Sequence, residues 1–216
     1  MKNLREQTDA KIAEGRLNNP DFMKGVDAAI EEAKAFEQGD NAIKVGETAP
    51  RFKLPNARGK SVSLDNLLEN GPVVITFYRG SWCPYCNLQI RALQEILGDI
   101  RKLGANLVAI SPQVPDGSLT DKEISSMDYG VLSDQDAKVA FQYGVAWEVP
   151  EFLAEHMRVD RGLDLEKINN GNATMLPIPA TFVLNREGVV KWSFVDVDYR
   201  KRAEPSDILK ALKNLF

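Results

Sequence analysis

The residues of this chain most suited to chemistry are its only two cysteines, Cys83 and Cys86. Cysteine attacks as its thiolate, and a helix amino terminus or a close second cysteine lowers the thiol pKa. The pair follows an apolar run at 73–78 and precedes a helical pattern at 84–103. Pro84 is typical of the first helical position, which makes Cys83 the cap and places Cys86 one turn later on the same face. The pattern predicts a stabilised thiolate at Cys83 and two sulfurs that cycle between dithiol and disulfide.

The neighbours of the cysteines suggest how the pair is presented. Because it comes first, Cys83 is expected to be the more exposed sulfur, with Cys86 turned toward the core. Trp82 and Tyr85 are expected to form an apolar collar around them. Zinc is the main alternative, but two thiolates are half of a structural site and His156 is the only histidine. We expect no metal here, and a surface or packing role for His156.

The surrounding elements predict an α/β fold. The run at 73–78, its helix and a second run at 107–110 form a strand, helix, strand unit, whose crossover should be right-handed and parallel. Strand patterns at 180–184 and 189–197 flank a turn with Gly188 and should be antiparallel neighbours. A close cysteine pair between a strand and a helix is typical of a thioredoxin-like fold. The predicted architecture is a central mixed β-sheet flanked by helices, plus an N-terminal helical extension.

Shorter patterns complete the secondary-structure prediction. They are a hairpin at 52–55 and 61–63, a strand at 130–132, and helices at 64–69, 121–127, 135–143, 151–161 and from Pro205 onward. The segment 145–175 is a further insertion, to which no role is assigned.

The first 42 residues are expected to form the helical extension, and 43–216 the main domain. Asn19 and Pro20 separate two helical patterns, and apolar residues from Phe22 to Phe36 recur at steps of three and four. Such a stripe must bury against something. We expect it to pack on the main domain or on a second copy of the chain, so a homodimer is one candidate assembly.

Composition excludes several classes of function. The chain has 27 basic and 31 acidic residues, a net charge of -4, which argues against nucleic acid as a partner. No apolar run approaches the ~20 residues that a membrane-spanning helix requires. The amino terminus lacks the apolar stretch of a signal peptide. We expect a cytoplasmic protein without a membrane partner.

Four segments carry a resemblance to a known family. Residues 77–86, 110–112, 131–134 and 179–184 resemble the peroxiredoxin-like branch of the alkyl hydroperoxide reductase and thiol-specific antioxidant family. The resemblance extends from about residue 45 to the end of the chain, and the Pro-Tyr dipeptide between the cysteines also resembles glutaredoxins. It implies a thioredoxin-like fold, reduction of hydroperoxides, and electrons from a dithiol donor such as a thioredoxin or glutathione system.

The chain departs from the family pattern at three positions. By the resemblance, Cys86 is the peroxide-attacking cysteine, but Arg79 stands where the family has proline and Cys83 where it has threonine. Pro179 replaces the distant arginine that helps to polarise the peroxide. A proline there resembles thioredoxin, in which a cis Ile178-Pro179 bond would face the cysteines and bind substrate backbone.

Another cation must then orient a peroxide. Arg79 is the nearest in sequence, although a solvated side chain is its commoner fate, and Arg158, Arg161 and Arg200 are weaker candidates.

Three functions therefore stay open. In a peroxidase, the Cys86 thiolate attacks the peroxide and Cys83 resolves the sulfenic acid as a disulfide. In a disulfide oxidoreductase, Cys83 attacks a partner disulfide and Cys86 releases it. A redox-responsive binding protein would be oxidised once, without turnover.

Overall fold

The computed structural model describes residues 3–35, 37–114 and 130–215. Its helices are α1 (Leu4–Asn18), α2 (Pro20–Ala35), α3 (Leu64–Glu69), α4 (Pro84–Lys102), α5 (Lys138–Gln142), α6 (Glu151–Val159), α7 (Leu165–Ile168) and α8 (Pro205–Lys213). Its strands are β1 (Lys53–Pro55), β2 (Ser61–Ser63), β3 (Val73–Phe77), β4 (Asn106–Ser111), β5 (Gly130–Ser133), β6 (Ala146–Glu148), β7 (Met175–Pro177), β8 (Ala180–Leu184) and β9 (Val190–Val195).

The central sheet has the strand order β5-β4-β3-β8-β9. Strand β3 lies in the middle, parallel to β4 and antiparallel to β8. All five of its residues are buried, as expected for a β-branched and aromatic run covered on both faces. Strands β8 and β9 are antiparallel and joined through Gly188, whose φ is +81°. The predicted mixed sheet and its parallel crossover are confirmed.

Each face of the sheet has its own core. Alternate residues of β3 point to opposite sides. Val74 joins a cluster with Leu93 of α4 and Leu212 of α8, whereas Phe77 packs with Tyr143 and other side chains on the opposite face. The cysteines belong to the first cluster, so the sheet face under α4 is the one that carries them.

Helix α4 is fixed to the sheet by a buried polar contact. Gln89 Nε2 donates a hydrogen bond of 2.9 Å to Thr76 Oγ1, which lies 3.1 Å from Thr181 Oγ1 on β8. All three residues are buried. Because Gln89 follows Cys86 by three residues on one helix face, this contact fixes the helix register that positions the cysteine.

The extension forms a helical hairpin, α1–α2, that packs against the main domain. Helix α1 lies on α4, and the backbone N–H groups of Leu4 and Arg5 donate to the Glu204 carboxylate. Asp27 of α2 pairs with Arg200 at 2.6 Å. The middle of the apolar stripe is buried. It therefore packs on the main domain, which was one of the two predicted arrangements, the other being packing on a second copy of the chain. Phe36 lies outside the described residues.

Some sequence predictions differ from the structure. The helix predicted at 135–143 is broken, because Asp136 and Ala137 have φ of +63° and +54° and a regular helix begins only at Lys138. The buried Asp134 side chain accepts hydrogen bonds from the first backbone N–H groups of α5, which replaces a continuous helix with a capped turn. Helix α7 and strands β6 and β7 were not predicted, since each is only three or four residues long. The helix predicted at 121–127 lies outside the described residues.

Among the described residues, no helix is long and apolar enough to cross a bilayer.

Candidate active site

The two cysteines lie where β3 gives way to α4. Cys83 is the N-cap, Pro84 follows it in the first turn, and Cys86 lies within the helix. Gly80 makes the connection at a φ of +149°, and a Cβ there would lie 2.4 Å from Trp82 Nε1. Both thiols are free and buried, with Cys83 1% and Cys86 0% exposed. The predicted placement at the helix start is confirmed, but neither sulfur is exposed to solvent.

The Cys86 sulfur is surrounded by hydrogen-bond donors. Arg202 Nη2 lies 3.1 Å from it, and the Cys83 thiol and the Arg79 backbone N–H also bond to it. Burial alone would raise the pKa of Cys86. The Cys83 hydrogen bond, the Arg202 charge and the Arg79 contacts outweigh burial and lower that pKa to about 5. These contacts favour the thiolate form of Cys86 at neutral pH.

The prediction of a stabilised thiolate at Cys83 is wrong. Burial, followed by its hydrogen bond to Cys86 and the Cys86 charge, raises the pKa of Cys83 well above its ordinary value. The helix terminus alone suggested that the capping sulfur would ionise first. Here the Cys83 thiol keeps its proton and donates a hydrogen bond to Cys86, and the Arg202 contact stabilises the negative charge on Cys86.

Arg202 is the residue that the sequence analysis missed. It lies beyond β9, is 6% exposed, and donates from Nη1 to the backbone oxygens of Tyr199 and Lys201. Those bonds fix the guanidinium while Nη2 reaches Cys86. The run Arg200-Lys201-Arg202 was a visible signal, but nothing in its spacing links it to residue 86. Of the weaker candidates, Arg200 instead pairs with Asp198 and Asp27.

Arg79 is buried rather than solvated. It is 2% exposed, and its guanidinium carbon lies 4.3 Å from the Tyr199 ring centre, 5.1 Å from that of Trp82 and 5.9 Å from that of Trp147. This aromatic cage holds the cation by cation–π attraction. Its Nε has no hydrogen-bond partner within the described part of the chain. The cage leaves a buried donor available to a ligand.

A pocket of about 250 Å³ adjoins the pair, and Cys83, rather than Cys86, is the cysteine that borders it. Trp82 and Tyr85 border it beside Cys83. Three helices contribute further lining side chains, among them Lys11 and Glu14 on α1, Phe22 and Met23 on α2, and Leu153, His156 and Met157 on α6. Arg79, Arg161 and Tyr199 also border the pocket.

Helix α6 lies in the segment 145–175, and it contacts α2 beside the pocket. The His156 and Phe22 rings stack with centres 3.7 Å apart, while His156 Nδ1 lies 2.7 Å from Asp160 Oδ2. His156 thus has the packing role expected of it. Arg161 donates to the Trp82 backbone oxygen at 3.3 Å, whereas the exposed Arg158 borders a separate groove.

The thioredoxin-type proline arrangement is absent. The described backbone contains no cis peptide bond, so the Ile178-Pro179 bond is trans. Ile178 packs in the cluster on the sheet face away from the cysteines, and its N–H donates to the Val145 oxygen. Neither residue borders the pocket. Both lie in the short link between β7 and β8, where Ile178 is buried in the cluster on the other face of the sheet.

Metal ligands do not cluster here: the described residues contain no group of three or more His, Cys, Asp or Glu side chains placed to hold an ion.

Comparison with known proteins gives consistent matches. The model of the AhpC/TSA family matches residues 45–193. The chain is 30% identical to the peroxiredoxin Bcp of Escherichia coli strain K12 over 115 residues, which are 53% of this chain and 72% of that protein. It is 27% identical to a putative peroxiredoxin bcp of Coxiella burnetii over 159 residues, 73% of this chain and 93% of that one.

Solved structures show the same fold. The peroxidoxin BcpB of Mycobacterium tuberculosis has a TM-score of 0.61 at 23% identity, covering 81% of this chain and 99% of that chain. A peroxiredoxin-like protein from Aquifex aeolicus also has a TM-score of 0.61, at 16% identity, covering 81% and 89%. With a thioredoxin-like fold, a matching family model and these relatives, the chain belongs to the AhpC/TSA family of thiol-dependent peroxidases.

Proposed function

We propose that this enzyme reduces hydroperoxides through Cys86, with Cys83 as the resolving cysteine. The observation that carries the proposal is the Cys86 sulfur held 3.1 Å from Arg202 Nη2 while accepting the Cys83 hydrogen bond. A peroxidase needs a thiolate at neutral pH with a partner sulfur beside it, and these contacts supply both.

The first step oxidises Cys86. Its thiolate attacks the terminal oxygen of the hydroperoxide, which keeps its hydrogen, and the O–O bond breaks. The other oxygen leaves and takes up a proton from solvent, giving water or an alcohol. Cys86 becomes a sulfenic acid. The unpartnered Arg79 Nε is placed to donate to the peroxide as charge develops on the leaving oxygen. A peroxide coming from the pocket must pass the Cys83 side chain, which favours small groups next to the reacting oxygen.

The second step forms a disulfide. The Cys83 sulfur attacks the Cys86 sulfenic acid, the S–O bond breaks, and water leaves with the Cys83 proton. The two residues lie one helical turn apart, so the disulfide forms within the chain. Two electrons from an external thiol reductant then restore the dithiol.

One observation favours a second candidate, disulfide exchange at Cys83. Cys83 is the sulfur that borders the pocket, as an attacking sulfur should. Its raised pKa and the trans bond before Pro179 oppose this function, since exchange requires a thiolate at the attacking residue.

The two candidates are separated by mixing the reduced protein with hydrogen peroxide and following products by mass. The Cys83→Ser variant should accumulate sulfenic acid at Cys86, and Cys86→Ser should react far more slowly. If instead Cys86→Ser keeps the reactivity, or traps a mixed disulfide through Cys83 with a disulfide substrate, the assignment is overturned in favour of exchange.

A further inference from the structure

The α1–α2 hairpin lines one side of the pocket from which a molecule would reach the cysteine pair. It precedes the residues matched by the family model, which begin at 45. Together with α6 it borders the pocket over Cys83, and Cys83 is only 1% exposed. The family resemblance therefore says nothing about this part of the site, and its consequence must be argued from the contacts.

We propose that the electron donor of this enzyme is a small carboxylate-bearing thiol that enters the pocket, and that the α1–α2 hairpin keeps protein dithiols away from the Cys83 sulfur. This inference rests on the proposed function, because it concerns reduction of the disulfide that the peroxidase cycle forms.

The disulfide would be opened at Cys83. A thiolate from the donor attacks the Cys83 sulfur, the Cys83–Cys86 bond breaks, and Cys86 leaves as a thiolate. Cys86 is the better leaving group because Arg202 and the Arg79 backbone stabilise its charge. A second donor thiolate then attacks the donor sulfur of the mixed disulfide. Cys83 leaves and takes up a proton, and the donor is released as its own disulfide.

Steric access favours a small donor. Exchange requires an attacking sulfur to come within bonding distance of about 2 Å. The cavity of about 250 Å³ can admit a small thiol to Cys83. A protein would have to displace the hairpin, which is held by the Phe22–His156 stack and by the Asp27–Arg200 pair at 2.6 Å.

The charges around the pocket favour an anion. Lys11 and Glu14 pair with each other at 2.8 Å, so their charges offset each other. The described lining residues also include two arginines, Arg79 and Arg161, which make this part of the pocket positively charged. Arg161 lies at the edge and donates to the Trp82 backbone oxygen. Guanidinium groups bind carboxylates through paired hydrogen bonds, so a donor with a carboxylate would be retained there.

The test begins with protein already oxidised to the Cys83–Cys86 disulfide, so that peroxide chemistry is not part of the measured step. Return of free thiols is followed with glutathione, 2-mercaptoethanol, cysteamine and a reduced thioredoxin as reductants. These probes are an anionic, a neutral and a cationic small thiol, and a protein dithiol. If the disulfide never forms, the proposed function fails before this question is reached.

The wild-type protein should react with glutathione faster than with cysteamine, after correction for thiolate fraction, and only slowly with thioredoxin. Arg161→Glu should abolish the preference for an anionic thiol. It should lower the rate of reduction by glutathione about tenfold while leaving the rate with 2-mercaptoethanol within twofold of wild type. Arg161→Lys should keep most of the preference.

Loosening the hairpin should admit the protein donor. Phe22→Ala and, separately, Asp27→Asn should raise the thioredoxin rate at least tenfold, whereas Leu17→Ala, at a residue 84% exposed on the same hairpin, should not. Circular dichroism and thermal melts identify any variant that has lost its fold, and the milder Asp27→Asn then decides. A wild-type protein reduced as fast by thioredoxin as its hairpin variants, or an unchanged charge preference in Arg161→Glu, would overturn the proposal.

Discussion

Arg202 and Cys86 are separated by 116 positions in the chain, yet the guanidinium Nη2 lies 3.1 Å from the sulfur. The contact joins the loop after β9 to the first turn of α4, beside the apolar cluster that contains the cysteines. Both side chains are buried, so solvent screens the attraction little. Together with the Cys83 hydrogen bond it decides which of the two sulfurs is charged.

The first prediction concerns that charge. Absorbance at 240 nm, which reports thiolate, should titrate in the reduced wild-type protein with a midpoint near the pKa of about 5. The signal should be lost in Cys86→Ser. In Cys83→Ala it should persist with a higher midpoint, because the hydrogen bond from Cys83 is removed. Cys83→Ser keeps a hydroxyl donor beside Cys86 and should keep a low midpoint. If the low midpoint disappears in Cys83→Ser and remains in Cys86→Ser, the thiolate is on Cys83 and its assignment to Cys86 is wrong.

Arg202 should set the reactivity of this thiolate. Arg202→Gln removes the positive charge beside Cys86 and should raise its pKa. Oxidation by hydrogen peroxide at pH 7 should slow by about a hundredfold, the usual order for loss of one preorganised donor. Stopped-flow tryptophan fluorescence measures the rate, and its pH profile should shift upward.

The matched control is Arg158→Gln, which removes an exposed arginine outside the pocket over Cys83 and should leave rate and profile unchanged. Arg202→Lys should restore part of the pH profile. If Arg202→Gln slows the reaction without moving its pH profile, the residue acts on peroxide and not through the thiolate.

The sequence was sufficient to predict the strand and the helix that hold the cysteine pair. The strand at 73–78, the helix that starts at Pro84 and the cysteine spacing are local signals, and local signals place the pair between β3 and α4. The mixed sheet followed from the same alternation of patterns. These features depend on residues close in the chain, whose effect on backbone conformation is direct.

The electrostatics could not be read from the same signals. The charge on Cys86 depends on Arg202, which no periodicity connects to the cysteines, and on burial of Cys83. Arg79 was identified by proximity in sequence, but its cage is built from Trp147 and Tyr199, which come from distant segments. Such contacts are set by tertiary packing.

A third prediction concerns the caged Arg79. Arg79→Met keeps an apolar side chain within the aromatic cage while removing the buried donor and a positive charge that makes a small contribution to the low pKa of Cys86. Peroxide oxidation of Cys86 should fall by about a hundredfold, whereas reduction of the preformed disulfide by 2-mercaptoethanol should change little. Rapid-mixing rates for the two half-reactions check this. Equal losses in both would indicate that Arg79 supports the structure of the pair and not the peroxide step.

The hydrogen bond between Gln89 and Thr76 should be needed to position α4. Gln89→Ala removes the amide bond to Thr76, leaves the Thr76 hydroxyl with Thr181 Oγ1 and the Ala180 backbone oxygen as partners, and opens a small cavity. The unfolding free energy should therefore fall by about 1–3 kcal/mol in urea. The Cys86 titration should broaden or rise in midpoint as the register loosens. Glu95→Ala, at an exposed position of the same helix, is the control for the loss of a helix side chain. A stability equal to wild type would mean that the sheet contacts alone hold the helix.

The low pKa of Cys86 should also appear in the pH dependence of stability. The group titrates near 5 in the folded protein and near 9 when unfolded. Because the folded pKa is the lower one, its contribution is complete above about pH 9 and is lost as the pH falls toward 5. The difference in unfolding free energy between reduced wild type and Cys86→Ser should therefore grow from pH 5 to pH 9. Both proteins retain Cys83 and the carboxylates, but Cys86 itself raises the pKa of Cys83, so the contribution of Cys83 cancels in this comparison only well below pH 9. Urea unfolding at five pH values under a non-thiol reductant measures the difference, and a difference that stays flat or shrinks with pH would contradict a thiolate stabilised by the fold.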